Sequence, residues 1–107
     1  MEDLANITCQ PCRSDTPPLA GDELGRLSRG VPEWDVVEGH HLRREFCFRN
    51  FGAALKFVER VGTLAEEQGH HPDIRFGWGY AEITVFTHAI GGLSKNDFIL
   101  AARIDRL

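Results

Sequence analysis

A long segment with helical periodicity lies in the middle of the chain and constrains everything around it. Between Phe51 and Gln68, apolar residues recur every three or four positions, which predicts an amphipathic α-helix with one face against a core. Asn50 is a suitable N-cap at its start, and Gly69 a suitable left-handed cap at its end. The apolar positions are Ala54, Leu55, Phe57, Val58, Val61, Leu64 and Ala65. A helix of this length has an apolar face that other elements must cover.

Segments with strand-like alternation flank this helix on both sides. Residues 34–38 and 41–49 are separated by Gly39-His40 and are typical of a hairpin. Two further short strands are expected after Pro72, the second running to His88. The side chains expected to face the core are Leu42, Phe46, Phe48, Ala81, Ile83 and Val85. These strands supply the sheet that the helix requires.

A shorter helix is predicted near each end of the globular region. The first starts near Leu19 and ends by Gly30, and the last covers residues 97–106 after a capping-box-like Ser94-Lys95-Asn96-Asp97. The element order is therefore α-β-β-α-β-β-α, without a strand-helix-strand repeat. This order predicts an α+β fold, a two-layer sandwich of a four-stranded antiparallel sheet with three helices on one face.

The first 18 residues differ in character from the rest. They contain Pro11, Pro17 and Pro18 and have no periodicity, which predicts an extended or mobile N-terminal arm, followed by a single domain over 19–107. Cys9 and Cys12 form a lone Cys-x-x-Cys, which is interpreted as part of an inert tail rather than half a zinc site or a redox pair. Three cysteines in all give no disulfide framework and fit a reducing compartment.

Charge and hydropathy argue against two classes of partner. Twelve basic and sixteen acidic side chains give a net charge of −4, which opposes binding to the phosphates of nucleic acids. No apolar run approaches the roughly 20 residues that cross a bilayer, so no membrane is expected. The acidic start lacks the pattern of a secretory signal, which predicts a cytoplasmic location.

Five histidines fall in three places: positions 40 and 41, positions 70 and 71, and position 88. A single histidine is more often structural than catalytic, although ends of elements are where sites are usually built. His71 precedes Pro72 and is therefore biased towards extended geometry, so His70 and His71 are expected to point in different directions. His40 and His41 are interpreted as residues of an exposed turn.

The residues around these histidines form a longer pattern. Glu66-Glu67-Gln68-Gly69-His70-His71-Pro72 is followed by Thr87-His88, with seventeen residues from His71 to His88, and then by Gly92-Leu93-Ser94 and Asp97. Further residues belong to the same pattern, at Trp34, Val61, 46–51, 78–79, 96–99 and 100–105. The pattern covers residues 19–107 and resembles the signature of the pterin-4a-carbinolamine dehydratases, in particular their bacterial branch. Trp78 departs from the tyrosine of many animal members, and Ile90 from the cysteine of some.

The resemblance implies an activity and a set of site residues. The activity is dehydration of 4a-hydroxytetrahydrobiopterin to quinonoid dihydropterin and water by histidine acid–base catalysis, without a metal or cofactor. It implies a catalytic set of His70, His71 and His88, with His70 and His88 as the proton-transfer pair. The substrate-binding candidates are Glu66, Pro72, Asp97, Trp34 and Trp78. Without the resemblance, the residues have simpler alternative interpretations: Glu66 is a solvated helix residue, Asp97 is only a helix cap, and the two tryptophans belong to the core.

Two alternatives and a set of partners accompany this interpretation. Three histidines also suit a zinc site, although adjacent His70 and His71 would diverge, and acid–base chemistry is favoured. The family resemblance implies a homodimer or homotetramer, and an aromatic amino acid hydroxylase such as phenylalanine hydroxylase as metabolic neighbour. The alternative function is a protein-binding or dimerisation module that retains the pterin-site residues, because animal members also act as partners of a homeodomain transcription factor.

Overall fold

Helix α2, Phe51–Gln68, has the bounds that its periodicity predicts. The Asn50 side chain accepts a hydrogen bond from the backbone N–H of Ala53 at 2.8 Å, and Gly69 ends the helix in the left-handed conformation at φ 62°. Only a residue that tolerates positive φ closes a helix in this way. The predicted caps are therefore confirmed, and they fix where the chain leaves the helix towards His70.

A computed structural model describes residues 3–10 and 16–107. Within them, a 3-10 turn at Leu4–Asn6 and helix α1, Gly21–Ser28, precede the strands β1, Asp35–Val37, and β2, His41–Cys47. After α2 come β3, Asp73–Gly77, and β4, Tyr80–Val85, then a 3-10 turn at His88–Ile90 and helix α3, Lys95–Ile104. The α+β class and the order α-β-β-α-β-β-α are as predicted.

The four strands form one antiparallel sheet in the order β1-β2-β4-β3. Leu42 pairs with Val85 and Ile74 with Ile83, so these side chains share one face. Leu42, Ile83 and Val85 are fully buried on that face. The long apolar strand β4 lies in the interior of the sheet, which is the position that its alternating Ala81, Ile83 and Val85 favour.

Helices α2 and α3 provide most of the second layer. The buried side of α3 includes Phe98, Ile99, Leu100, Ala101 and Ile104, and it packs in one cluster with Leu42, Val61, Ile83 and Val85. Helix α1 adds Leu27 to the same cluster. None of the helices in the described ranges is both long and apolar enough to span a bilayer.

Several element boundaries differ from the predictions by one or more residues, and two of them bear on the site. Helix α3 begins at Lys95, two residues earlier than predicted, because Ser94 is its N-cap. Strand β4 ends at Val85 rather than at His88, because Thr87 pairs with Gly92 across a tight loop and His88 starts a 3-10 turn. His88 therefore belongs to the loop between β4 and α3, and the prediction that it closes a strand is wrong.

The described part of the predicted N-terminal arm lies against the domain. Leu4 and Ala5 are buried and join the core cluster, while Arg106 binds both carboxylate oxygens of Asp3 at 2.9 and 2.8 Å. The boundary at residue 18 stays a prediction, but residues 3–10 are packed rather than free. Cys9 is half-buried, and Cys12 lies outside the described residues.

Candidate active site

The three histidines predicted as catalytic all line one hollow of about 330 Å³ at the edge of the sheet. Its lining residues are Gly69, His70, His71, Pro72, Asp73, Phe86, Thr87, His88 and Ala89. They come from two loops, the one that joins α2 to β3 and the one that follows β4. Asp73 pairs with Thr84, so the start of β3 and the end of β4 lie side by side. The antiparallel register therefore brings together histidines that are far apart in the sequence.

A different groove is larger but has a different lining. It measures about 450 Å³ and runs along α2, where it is lined by Lys56, Glu59, Arg60, Thr63, Leu64, Glu67 and Leu107. No histidine or cysteine is among these residues. Since proton transfer at neutral pH requires groups such as imidazoles, the smaller hollow is the better candidate for an active site.

His70 is held by a buried carboxylate. Its Nε2 atom lies 2.5 Å from Oδ1 of Asp97, and the two side chains are 13% and 0% exposed. A carboxylate accepts but does not donate, so this contact requires the hydrogen of the His70 ring on Nε2. In the neutral ring, Nδ1 then carries the lone pair and is the nitrogen able to take up a proton.

Asp97 is fixed by the start of helix α3. Ser94 and Asp97 form a capping box, in which Oδ2 of Asp97 accepts the backbone N–H of Ser94 at 2.8 Å. The Thr87 hydroxyl donates to the same oxygen at 2.8 Å. Because the Thr87 hydrogen is committed there, the 2.7 Å contact between the Thr87 and Ser94 hydroxyls has Ser94 as donor. These donors satisfy the buried carboxylate, as a buried charge requires.

His71 points away from His70, as predicted for a residue before proline. Its Nε2 lies 3.0 Å from Oε2 of Glu66, and the two side chains are 60% and 79% exposed. Glu66 therefore contacts His71 rather than His70 at the rim of the hollow. An ion pair this exposed is screened by water and adds little to stability.

His88 lies against an aromatic ring instead of a carboxylate. The ring centroids of His88 and Phe86 are 4.1 Å apart, and on its other side Phe86 contacts His40 at 4.7 Å. His40 and His41 in turn approach each other with their Nδ1 atoms 3.1 Å apart. Neither lines the hollow, yet both are half-buried, so the prediction of a simple exposed turn is incomplete.

Four of the five predicted substrate-binding residues do not line the hollow, and one of them is Glu66, which contacts His71. Asp97 is fully buried behind His70, with its Oδ1 against Nε2 of that ring. Trp34 is 4% exposed, packs edge-on against Phe46 and donates its indole N–H to Asp105 at 2.8 Å. Trp78 is 72% exposed in the turn between β3 and β4, at the far end of these strands from the hollow. Neither tryptophan lines the hollow, and their assignment to the substrate stays a prediction.

Sequence reasoning omitted two residues that complete the site, Phe86 and Thr87. The signal for Phe86 was present, because strand alternation puts it on the same side as His88. Strand alternation did not predict the role of Thr87, because its hydrogen bond to Asp97 depends on the tight loop between them. Pro72 lines the hollow as predicted.

The histidines sit in three different environments. His70 has a buried carboxylate, His71 an exposed one, and His88 an aromatic neighbour. Within residues 3–10 and 16–107, no group of three or more His, Cys, Asp and Glu side chains is arranged to hold a metal ion. An arrangement of this kind can deliver one proton and remove another within the same hollow.

Comparisons with known proteins give relatives over the full chain. A protein of Rubrobacter xylanophilus, provisionally named a pterin-4-alpha-carbinolamine dehydratase, is 64% identical over 107 residues and covers 100% of both chains. A protein of Alkaliphilus metalliredigens with the same provisional name is 50% identical over 107 residues, covering 99% of this chain and 96% of its own.

Solved structures with this fold carry more varied names. A transcriptional coactivator/pterin dehydratase from Brucella melitensis superposes with a TM-score of 0.77 at 26% identity, over 83% of this chain and 96% of its own. A pterin dehydratase-like protein described as a RuBisCO assembly factor in the alpha-carboxysome gives a TM-score of 0.57 at 28% identity, over 68% and 83%.

The family comparison agrees with the full-length relatives. The family model described as pterin 4 alpha carbinolamine dehydratase matches residues 17–107, which include every residue that lines the histidine hollow. The chain therefore belongs to the pterin 4 alpha carbinolamine dehydratase family.

Proposed function

We propose that this protein catalyses the dehydration of a 4a-hydroxytetrahydropterin, with His70, His71 and His88 as the catalytic residues. The observation that carries the proposal is that the three imidazoles line one hollow of about 330 Å³ in a member of this family. Ligand pockets in proteins begin at about this size. The flat bicyclic ring of a pterin suits a hollow with Pro72 and Phe86 among its walls.

The reaction needs two proton movements and one bond cleavage. The bond between C4a and its hydroxyl oxygen breaks, and the N5 electrons form the C4a=N5 double bond as N5 loses its proton. Hydroxide is a poor leaving group, so an acid must protonate the oxygen as the bond breaks. Imidazole titrates near neutral pH and serves as either acid or base.

His70 and His88 are the proposed proton-transfer pair. The Asp97 carboxylate stabilises an imidazolium at His70, which favours His70 as the group that receives the N5 proton. His88 lies in the same hollow against an aromatic ring, which leaves it as the proposed donor of a proton to the leaving hydroxyl. His71, at the open rim, contacts the substrate, and Glu66 orients it.

The substrate, its source, the cellular location and the oligomeric state are proposed from the family. We propose tetrahydrobiopterin as the pterin, and an aromatic amino acid hydroxylase such as phenylalanine hydroxylase as the source of the carbinolamine. A cytoplasmic location and a homodimer or homotetramer belong to the same proposal. Edge strands β1 and β3 leave backbone groups for pairing with a second copy.

The proposal is tested with carbinolamine generated in place by a hydroxylase. Quinonoid dihydropterin formation is followed with and without the purified protein. A rate well above the spontaneous dehydration, proportional to protein concentration, is expected. A rate equal to the spontaneous one would contradict the proposal and leave the partner-binding module as the better function.

A further inference from the structure

The segment of residues 3–10, called the strap below, crosses the side of the domain that carries His70 and Asp97. Asn96 immediately precedes Asp97, and Gln68 stands two residues before His70. Both of these amide side chains bind the strap backbone. The strap thus joins the end of α2 to the start of α3, the two places that supply the His70–Asp97 pair.

Hydrogen bonds at one end of the strap reach these two helices directly. The Gln10 backbone N–H donates to Oδ1 of Asn96 at 2.9 Å, and Nδ2 of Asn96 donates back to the Gln10 carbonyl. The Cys9 backbone N–H donates to Oε1 of Gln68 at 3.0 Å. Asn96 is 7% exposed, so its amide depends on buried partners of this kind.

The other end of the strap is anchored far from the hollow. Leu4 and Ala5 are buried in the core cluster. Arg106 binds the Asp3 carboxylate, and Arg103 donates from Nε to the Ile7 carbonyl at 3.0 Å. The strap is therefore fixed along the whole length of α3, and its position relative to Asn96 is set by the fold.

We propose that the strap is a positioning element for the active site and that Asn96 and Gln68 are the positioning residues through which it acts. It holds the end of α2 against the start of α3 and so maintains the spacing of His70 and Asp97. This inference rests on the proposed function. The family model begins at residue 17, so the strap lies outside the part of the chain that it matches.

The reaction rate should depend on the spacing of His70 and Asp97, so displacing the strap should have a measurable effect on it. A displacement of about 1 Å in a catalytic group costs on the order of a hundredfold in rate. The His70–Asp97 contact spans 27 positions of sequence and joins the loop after α2 to the first turn of α3. Cross-links on both sides of it, through Gln68 and Asn96, limit how far these two segments separate.

The test compares Gln68→Ala, Asn96→Ala and the double variant with the wild type. Alanine is a good helix former and Gln68 is only half-buried, so Gln68→Ala retains the fold. We expect kcat to fall by about tenfold in the double variant, with KM within about twofold of the wild type. Val61→Ala is the matched control, because it weakens the packing of α2 at a fully buried position and leaves the hydrogen bonds of Gln68 and Asn96 to the strap in place.

An NMR measurement separates positioning from general destabilisation. The ¹⁵N shifts of the His70 ring report the hydrogen bond to Asp97, and they are expected to change in Gln68→Ala and Asn96→Ala but not in Val61→Ala. Unchanged shifts and unchanged kcat in the double variant would overturn the proposal. So would an equal loss of kcat in Val61→Ala.

The two proposals fail in different ways. If the wild type shows no dehydration above the spontaneous rate, the proposed function fails. The ring shifts of His70 still test whether the strap sets the His70–Asp97 contact. If the wild type is active and the strap variants keep its kcat and its ring shifts, only the strap inference fails.

Discussion

His70 and Asp97 are joined by a contact of 2.5 Å between Nε2 and Oδ1, and the carboxylate is fully buried. Asp97 is at the same time a member of the capping box of α3, where it accepts the backbone N–H of Ser94, and the acceptor for Thr87, which stands next to His88. One carboxylate therefore connects both loops of the hollow. Its position depends on helix formation, so folding of α3 and orientation of the His70 imidazole are coupled.

Replacing Asp97 by asparagine is predicted to reduce kcat. An amide N–H₂ facing Nε2 of His70 favours the opposite ring tautomer and stabilises no imidazolium. Loss of an orienting carboxylate costs roughly 10–100-fold in activity in comparable sites. Steady-state rates on the carbinolamine measure this, with Glu23→Gln as control because its pair with Arg26 on α1 is exposed and does not line the hollow. Equal rates for Asp97→Asn and the control would contradict the assigned role.

Phe86→Leu is predicted to lower kcat/KM by about tenfold while the protein stays folded. The leucine side chain preserves apolar volume but removes the ring that lies 4.1 Å from His88, so the imidazole gains rotamer freedom. Phe76→Leu is the matched control, since Phe76 is another half-buried aromatic residue of the sheet and lies away from the hollow. A similar loss in both variants would assign the effect to the sheet rather than to His88.

The sequence and the structure agree best where the chemistry is local. The apolar periodicity, with Asn50 and Gly69 as caps, predicted both ends of α2 to the residue. This was possible because the contacts that form a helix and its caps join residues only a few positions apart. The exposed and buried sides of β4 followed its alternation in the same way.

Contacts between residues far apart in the sequence could not be predicted from the sequence alone. The partner of Asp97 is 27 positions away, and the antiparallel register of β3 with β4 brings the loop that holds His70 beside the segment that leads into α3. Trp34 was a substrate-binding candidate on the family resemblance, and residue chemistry alone favoured a place in the core. Its N–H is instead satisfied by Asp105, 71 positions later, which no local pattern reveals.

Trp34→Phe is predicted to lower stability without changing activity. The phenyl ring keeps the packing against Phe46, but the hydrogen bond to Asp105 is lost. Asp105 retains Arg44 at 2.7 Å, so the acceptor keeps a partner and the cost is about 1–2 kcal/mol. Urea unfolding and dehydration assays measure the two properties. A raised KM would reinstate Trp34 as a substrate contact.

Glu82→Gln is predicted to lower the melting temperature at pH 7 but not at acidic pH. The hydrogen bond and charge of Arg43, 2.9 Å away, lower the pKa of Glu82 below its usual 4.5. A lowered folded-state pKa contributes stability above the unfolded value, and that contribution is lost as pH falls through the folded one. The variant and wild type should therefore converge below pH 4.5.

A control for this pH dependence lies on the neighbouring strand. Glu45 pairs directly with Glu82 across the sheet, so Glu45→Gln removes a like charge and should not lower the melting temperature at pH 7. Because the Arg43–Glu82 pair is partly exposed, added salt should reduce the effect of Glu82→Gln. A difference from wild type that persists unchanged below pH 4.5 would contradict the ion-pair explanation.

Catalysis by the histidines around the hollow is tested most directly by the dehydration rate of His70→Ala, His71→Ala and His88→Ala on hydroxylase-generated carbinolamine. Losses are predicted for all three variants, largest for His70→Ala or His88→Ala, where removal of a proton-transfer group costs about 10²–10⁴ in kcat. Wild-type turnover in every variant would contradict the assignment of this hollow as the active site.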